Sequence, residues 1–320
     1  MTPRPGGWRR VRAASAAFVA ALALALPAPV RAAWFEYVGM GSRTIGLGPS
    51  SIADVDDVSA VHWNPARLPA ARGQALFEFA NPYGIEGLSE ASIAVGRAWR
   101  GTTFAAAWHQ LGLRDAYAEQ QFSLGAGRPV ARVLRGSLAA GATYKLQRIA
   151  FQSQTDAFTG AAVDFGSQAK GSLDLALHWS GPWRFDVAYV ARDLLEPTFQ
   201  FVPGSGGGKV AASQSLATAI RWNPESVLTF GWARPGGGAT SSWSAGLELR
   251  FYDVFAVRSG FQNLSQVWDS RGSPNDLQYT GGVGIFHRGV RVDAAVVSDH
   301  DLGATYRATV LVPLGGPEPR

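Results

Sequence analysis

From Gln74 to Leu314 apolar and polar side chains alternate with a period of two, in one short run after another. In GSLDLALHWS, Leu173, Leu175, Leu177 and Trp179 fall on one face of an extended strand, and Ser172, Asp174, Ala176 and His178 fall on the other. Trp183, Phe185, Val187 and Tyr189 oppose Arg184, Asp186 and Arg192 in the same way. Val290, Val292, Ala294 and Val296 oppose Arg291 and Asp293. A soluble sandwich also alternates, so strand length and strand ends decide. Many runs reach about ten residues, the length a tilted strand needs to cross a bilayer. Aromatic residues gather near their ends: Trp99, Trp108, Trp179, Trp183, Trp222, Trp232, Trp243 and Phe251. A membrane interface suits the amphipathic indole ring, which there has one apolar and one wet neighbour.

The links carry a second periodicity. Tight ones at WRGT (99–102), SGPW (180–183), NPES (223–226), FYDV (251–254) and HRGV (287–290) interleave with longer polar ones. The longer ones lie around NPYGIEGLSE, residues 150–170, EPTFQFVPGSGGGK, RPGGGATSS and NLSQVWDSRGSPND, with one irregular stretch near 111–136. A transmembrane barrel sorts tight turns to one rim and long loops to the other. A sandwich has no reason to do so. The expected fold class is therefore all-β, a transmembrane antiparallel up-and-down β-barrel of about fourteen strands. Their expected centres are near residues 77, 93, 106, 121, 142, 175, 187, 216, 229, 246, 257, 283, 294 and 308. Closure is a backbone requirement, because an unpaired N–H or C=O facing hydrocarbon costs several kcal/mol.

Residues 1–32 read as a secretory signal peptide: a basic head MTPRPGGWRRVR, an apolar run AASAAFVAALALAL, and a small-residue end PAPVRA. Pro27 and Pro29 break the run short of the roughly 20 residues a helical span needs. Its five arginines, taken from 29 basic residues, leave 24 against 24 acidic ones. The basic balance thus belongs to the leader, and nucleic-acid binding loses its support. The chain has no cysteine, which excludes disulfides and thiolate metal sites. The expected organisation is leader 1–32, an N-terminal segment 33–72 folded into the lumen as a hatch or plug, barrel 73–314 and tail 315–320. The expected location is the outer membrane of a Gram-negative bacterium, in contact with its lipid.

The N-terminal segment is unlike the rest. Gly39, Gly41, Gly46 and Gly48 permit compact turns in a narrow lumen, Asp57 can cap a short helical turn through VSAVHW, and Asn64-Pro65 stops it. GMG and ADVDDVSAVHWNPARL resemble the amino-terminal hatch of the FadL-like superfamily of outer-membrane proteins. Gly39, Gly41, Asp56, Asp57, Ser59, Ala60, Asn64, Pro65, Ala66 and Leu68 fit that run. The phrases LELRFYDVFAVRSGFQ and GGVGIFHRGVRVDAAVVSDHDLGATYRATVLV look more like the PorV/PorQ branch. Arg67 departs from the pattern, which has Gly there, and the chain ends VLVPLGGPEPR without the terminal aromatic that barrels usually carry. The resemblance implies a fourteen-stranded barrel with its N-terminus in the lumen. It implies either passive transport of hydrophobic, fatty-acid-like molecules or, in the PorV branch, partnership with secretion-system proteins around a closed lumen.

Asp56 and Asp57 lack the surrounding ligand cluster of a cation site. They are expected to pair with lumen arginines such as Arg221, Arg250, Arg291 or Arg307, pinning the segment where unpaired charge is costly. The histidines at 62, 109, 178, 287 and 300 lack metal spacing, and no nucleophile signature accompanies them. No catalytic residue, metal or cofactor is expected. The predicted inward faces carry charge of mixed sign: Glu78, Glu119, Asp174, Arg184, Asp186, Arg192, Arg221, Glu248, Arg250, Arg291, Asp293 and Arg307. A hydrophobic ligand path would have to use the hatch and the loops near Phe158, Phe199 and Phe201.

Overall fold

The computed structural model describes residues 35, 39–71, 73–155, 160, 162–202, 207–236, 241–263, 277–299 and 302–314. The leader, the tail, Phe158 and His300 lie outside the described residues. Fourteen strands form the wall: β1 (Gly73–Asn81), β2 (Leu88–Trp99), β3 (Thr102–Leu113), β4 (Tyr117–Val133), β5 (Gly136–Phe151), β6 (Ser167–Ser180), β7 (Phe185–Arg192), β8 (Ser213–Asn223), β9 (Ser226–Arg234), β10 (Ser242–Phe251), β11 (Phe255–Asn263), β12 (Leu277–His287), β13 (Val290–Asp299) and β14 (Gly303–Pro313). Each pairs antiparallel with the next, and β1 pairs with β14 from Gln74↔Pro313 to Asn81↔Tyr306, so the sheet is a closed barrel. Every expected strand centre falls inside its strand.

The alternation sorts the side chains as a membrane requires. Leu124 is 66% exposed on the outer face while its neighbour Ser123 is 4% exposed inside, the reverse of a soluble protein. Phe77, Phe79, Ile93, Val95, Phe122, Val283, Ile285 and Val292 share the outer face, and Glu78, Ser92, Gln121 and Asp293 lie buried within. Trp99, Trp179, Trp222 and Trp243 sit at strand ends, but Trp108 lies mid-strand in β3. The simple end-of-strand expectation fails there, because period-two patterning fixes the face of a residue and leaves its height on the wall open.

The tight turns lie on one rim and the long links on the other. Tyr252 and Asp253, with φ of 54° and 52°, turn the β10–β11 hairpin, and Leu134 and Arg135 (50° and 61°) turn β4–β5. Two successive left-handed residues give the primed turn whose twist matches paired strands. The irregular stretch 111–136 resolves into a three-residue link after β3, Arg114–Ala116, followed by the two longest strands, of 17 and 16 residues. The β1–β2, β2–β3 and β3–β4 ladders run without a register break, whereas β4–β5 shifts between Pro129 and Ala131 and β8–β9 between Ile220 and Asn223.

Residues 39–71 pack within this ring. They form a short helix Ser42–Leu47, a 3-10 turn Pro49–Ala53, one helical turn Ala60–Trp63 and a second 3-10 turn Pro65–Ala70. The first helix meets β10 to β14, the turn after it meets β7 to β10, and Pro65–Ala70 meets β3 to β6. Ile45, Leu47, Ile52, Val55, Val58, Val61 and Leu68 are all buried there.

Candidate functional site in the barrel interior

The interior is built from inward side chains of the wall and the polar atoms of residues 39–71. Positive φ at Gly39 (109°) and Gly41 (90°) lets the backbone fold under Trp63, whose ring would lie 2.2 Å from a Cβ at Gly39. Trp63 Nε1 donates to the Met40 carbonyl at 2.6 Å. Asn64 donates to the Ile52 carbonyl (2.8 Å) and accepts from the Ala66 amide (3.1 Å), tying the two halves of the segment together. Asp57 accepts from the Ser59 amide at 2.9 Å, and the helical turn begins after Ser59 at Ala60. Arg67, the departure from the hatch pattern, donates from Nε to the Val55 carbonyl at 2.8 Å.

Three polar clusters join segment to wall. Near the tight-turn rim, Arg43 donates to Glu248 (2.9 Å), Asp54 (2.5 Å) and Asp56 (3.2 Å). Asp56 also accepts from Arg291 (3.0 Å) and Arg250 (3.3 Å), and Asp57 is bonded to Arg291. Arg258 links Glu248 (2.5 Å) to Asp293 (2.7 Å) behind them. Burial alone would raise the Asp56 carboxyl, but Arg43, Arg291 and Arg250 together hold it well below the usual carboxylate range. Of the four arginines singled out from the sequence, Arg250 and Arg291 stand beside Asp56. Arg221 instead holds Asp54 and Asp186, and Arg307 holds Glu90 and Glu78 while donating to the Gly39 carbonyl at 3.1 Å. Glu78 completes this second cluster by accepting from the Gly41 amide (2.7 Å) and Thr309 (2.7 Å). In the third, Arg192 donates to the Trp63 carbonyl (2.7 Å), Thr143 to the Val61 carbonyl (2.8 Å), and Lys145 bridges Asp174 (2.8 Å) and Asp193 (2.6 Å).

His62 faces the third cluster. Burial and the nearby cations Arg192 and Lys145 push its imidazole well below its ordinary value. A depressed histidine binds fewer protons when the segment is seated than when it is released. The seating is therefore full above about pH 6.5 and weakens as pH falls below it, by roughly 1 kcal/mol per unit. Amide hydrogen exchange at Ala60–Trp63 should accelerate about fivefold between pH 6.5 and 5.5, after correction for intrinsic rates, and His62→Asn should weaken that dependence, leaving what His178, bonded to the Ala53 carbonyl, contributes.

The wall receives the segment through glycines. A Cβ at Gly127 or Gly141 would lie 2.0 or 2.2 Å from the Pro65 backbone, and one at Gly246 or Gly260 would lie 2.1 or 2.5 Å from the Leu47 carbonyl. Neither these glycines nor Arg43 was singled out in the sequence. The available signal was glycine recurring on polar, inward strand positions, as in Gly125–Gly127, and one arginine in an otherwise uncharged glycine-rich lead.

At the long-link rim the interior changes character. Phe199, with Ile149 and Val210, is buried in an apolar cluster flanked by Phe35, Tyr117, Phe151 and Phe201. Ring centroids lie 5.8 Å apart for Phe35 and Phe199 and 4.9 Å for Phe151 and Phe201. Tyr117 also lines a recess of about 500 Å³ at the outer edge of the wall on this rim, with the outward Phe79 and Gln110 and with Leu88, Leu113 and Gln152. At the opposite rim a charged recess of about 110 Å³ lies between Arg43, Asp54, Asp56, Arg221 and Arg250. Ser92, His109 and Glu90 line up (Ser92 Oγ to His109 Nδ1, 2.8 Å), but the hydroxyl is buried and Glu90 is engaged by Arg307. That row makes a polar ladder with no room for a substrate. Among the described residues no group of three acidic, histidine or cysteine side chains is placed to hold a metal ion.

No protein-family model matches the chain, and no curated protein does. Solved structures do. The P. putida toluene transporter TodX is similar over 86% of this chain and 96% of its own, with a TM-score of 0.56 at 11% identity. The deltaS2 mutant of the TodX monoaromatic hydrocarbon channel reaches 0.58 at 12%, over 87% and 98%. The CymD monoaromatic hydrocarbon channel reaches 0.53 at 10%, over 85% and 97%. The chain has the barrel fold of these hydrocarbon channels. Sequence identity this low carries the architecture and not the ligand, and the PorV/PorQ likeness rests on the sequence phrases alone.

Proposed function

We propose that the chain is an outer-membrane barrel that passes hydrophobic small molecules, with residues 39–71 as the hatch. The carrying observation is the aromatic cluster of Phe35, Tyr117, Phe151, Phe199 and Phe201. It lies at the long-link end of the interior, away from the charged groups around Arg43 and Asp56, and adjoins through Tyr117 a recess at the outer edge of the wall. A recess of about 500 Å³ lies within the size range of small-molecule pockets. Tight turns of such barrels face the periplasm, so the aromatic cluster lies on the outer side. An apolar molecule entering there displaces ring–ring contacts at little cost in solvation. It cannot cross the charged recess near Arg43 and Asp56 without desolvating it. The β1–β4 ladders are unbroken, so that part of the wall offers no side opening, and passage along the barrel axis requires the hatch to yield.

Uptake of labelled oleate or toluene by cells lacking other hydrophobic-compound channels should rise when the chain is expressed. Phe151→Ala with Phe199→Ala should cut that uptake at least about tenfold, because two large apolar contacts are lost from the entry. Lipid extracted from the detergent-purified barrel should contain a retained apolar ligand. An empty barrel with no uptake would sink transport and favour the closed-lumen reading, a PorV-like partner of secretion-system proteins.

A further inference from the structure

The tight-turn rim is most densely cationic on one side, with single exposed arginines, Arg184 and Arg288, in two other turns. Arg97, Arg100, Arg128, Arg132 and Arg135 are all exposed there, on and between β2 and β5. The only acids between residues 97 and 135 are Asp115, in the link at the opposite rim, and Glu119, buried inside. The nearest acidic residues of the turns, Glu225 and Asp253, belong to the far hairpins.

Where these side chains point decides their partner. Arg97 alternates with the outward Val95 and Trp99 and stands opposite the outward Phe104 in the ladder. Arg128 continues the outward row of Phe122 and Leu124. Arg100 lies over the Trp99 ring at 4.8 Å, which keeps its guanidinium against the outer wall. Below them β4 runs on past the end of β3, whose last described pair with it is Thr103↔Gly127. This lower part carries exposed Val130 and Leu134 beside Arg132 and Arg135. Pro129 lacks an N–H on this bare edge, so the edge is a poor template for another strand. Guanidinium groups set among tryptophan and aliphatic side chains, at the height where the apolar wall ends, match the headgroup layer of a membrane.

We propose that this face binds anionic phospholipid headgroups of the leaflet on the tight-turn side, with Arg97, Arg100 and Arg128 as the phosphate donors. Guanidinium pairs bidentately with phosphate and stays charged.

The test reconstitutes the full chain in vesicles of three parts phosphatidylethanolamine to one part phosphatidylglycerol and extracts it with its lipid belt, whose composition is measured by mass spectrometry. Phosphatidylglycerol should be enriched in the belt over the vesicle. R97Q/R100Q/R128Q should return it to the vesicle ratio, the affinity falling about fivefold per arginine, while the barrel keeps its heat-dependent electrophoretic shift. Arg100→Gln alone, in a turn where its contact among the described residues is Trp99, should show the partial loss if the triple variant does not fold. Arg148→Gln, on the opposite rim, should change nothing. Enrichment that survives the triple variant overturns the proposal. So does a belt equal to the vesicle in the native chain, which would leave the arginines to an acidic protein. Loss of enrichment in 10 mM inorganic phosphate with no added salt effect from chloride would assign the site to free phosphate and overturn it as well.

Discussion

Arg43→Met should unseat residues 39–71 and turn a closed barrel into one that conducts ions. Arg43 is 2% exposed and holds Asp54, Asp56 and Glu248 at once. Removing it leaves Asp54 and Glu248 buried, each short of one cationic partner. Breaking a buried pair from one side costs about 3–5 kcal/mol, more than an apolar side chain of similar volume can restore. The wall does not depend on Arg43, since its strands are hydrogen-bonded to one another through the closed ladder. The loss should therefore fall on the seating of the segment and not on the barrel. In planar bilayers the native chain should show little current and Arg43→Met a steady open-channel conductance, with new protease cleavage between residues 39 and 71. Asp56→Asn should have a smaller effect, about 1 kcal/mol, because Asp56 is 31% exposed at the charged recess and its arginines keep other carboxylates. Arg43→Met currents equal to the native ones, with the segment still protected, would defeat this account of the seating.

Gly246→Val is the second large effect, reached by shape and not by charge. A Cβ at Gly246 falls 2.1 Å from the Leu47 carbonyl oxygen, a backbone atom that cannot turn aside. Seating should lose about 3 kcal/mol or more, the upper range for overpacking a tight site. The strand itself gains, because valine favours extended backbone and glycine weakens a strand interior. Heat resistance of the barrel on gels should be unchanged or higher while the segment becomes accessible to protease. Gly141→Val, against Pro65, should act alike from the other side of the lumen. Gly281→Ala is the control: the nearest atom to its added Cβ is 3.7 Å away, an ordinary contact. A seated, protected segment in Gly246→Val would show that the close approach is not what holds it.

These two variants separate forces that the native chain combines. Arginine–carboxylate bonds fix where the segment sits, and wall glycines let its backbone come close enough to make them. The apolar side chains Ile45, Ile52, Val58, Val61 and Leu68 then fill the remaining space. The pH response of His62 acts on the same equilibrium from the third cluster, with a smaller amplitude.

What the sequence determined by itself is the barrel. Strand count, strand centres, the sorting of turns to two rims and the inward or outward face of residues within strands follow from a period of two, which is local: adjacent side chains of a strand point to opposite sides whatever the fold around them. Arg184, expected inward, instead lies exposed in the turn before β7, where the alternation has stopped. Which charges meet is not local. Arg43 and Glu248 are 205 positions apart, and Arg291 and Asp57 are 234 apart. From the sequence Arg221 and Arg307 were as eligible for the aspartate pair as Arg250 and Arg291. Only the register and closure of the sheet, which set the height of each inward side chain, gave Arg221 to Asp54 and Asp186 and Arg307 to Glu78 and Glu90. The aromatic cluster was decided the same way, since Phe35, Phe151 and Phe199 come together only when the ends of distant strands share one rim.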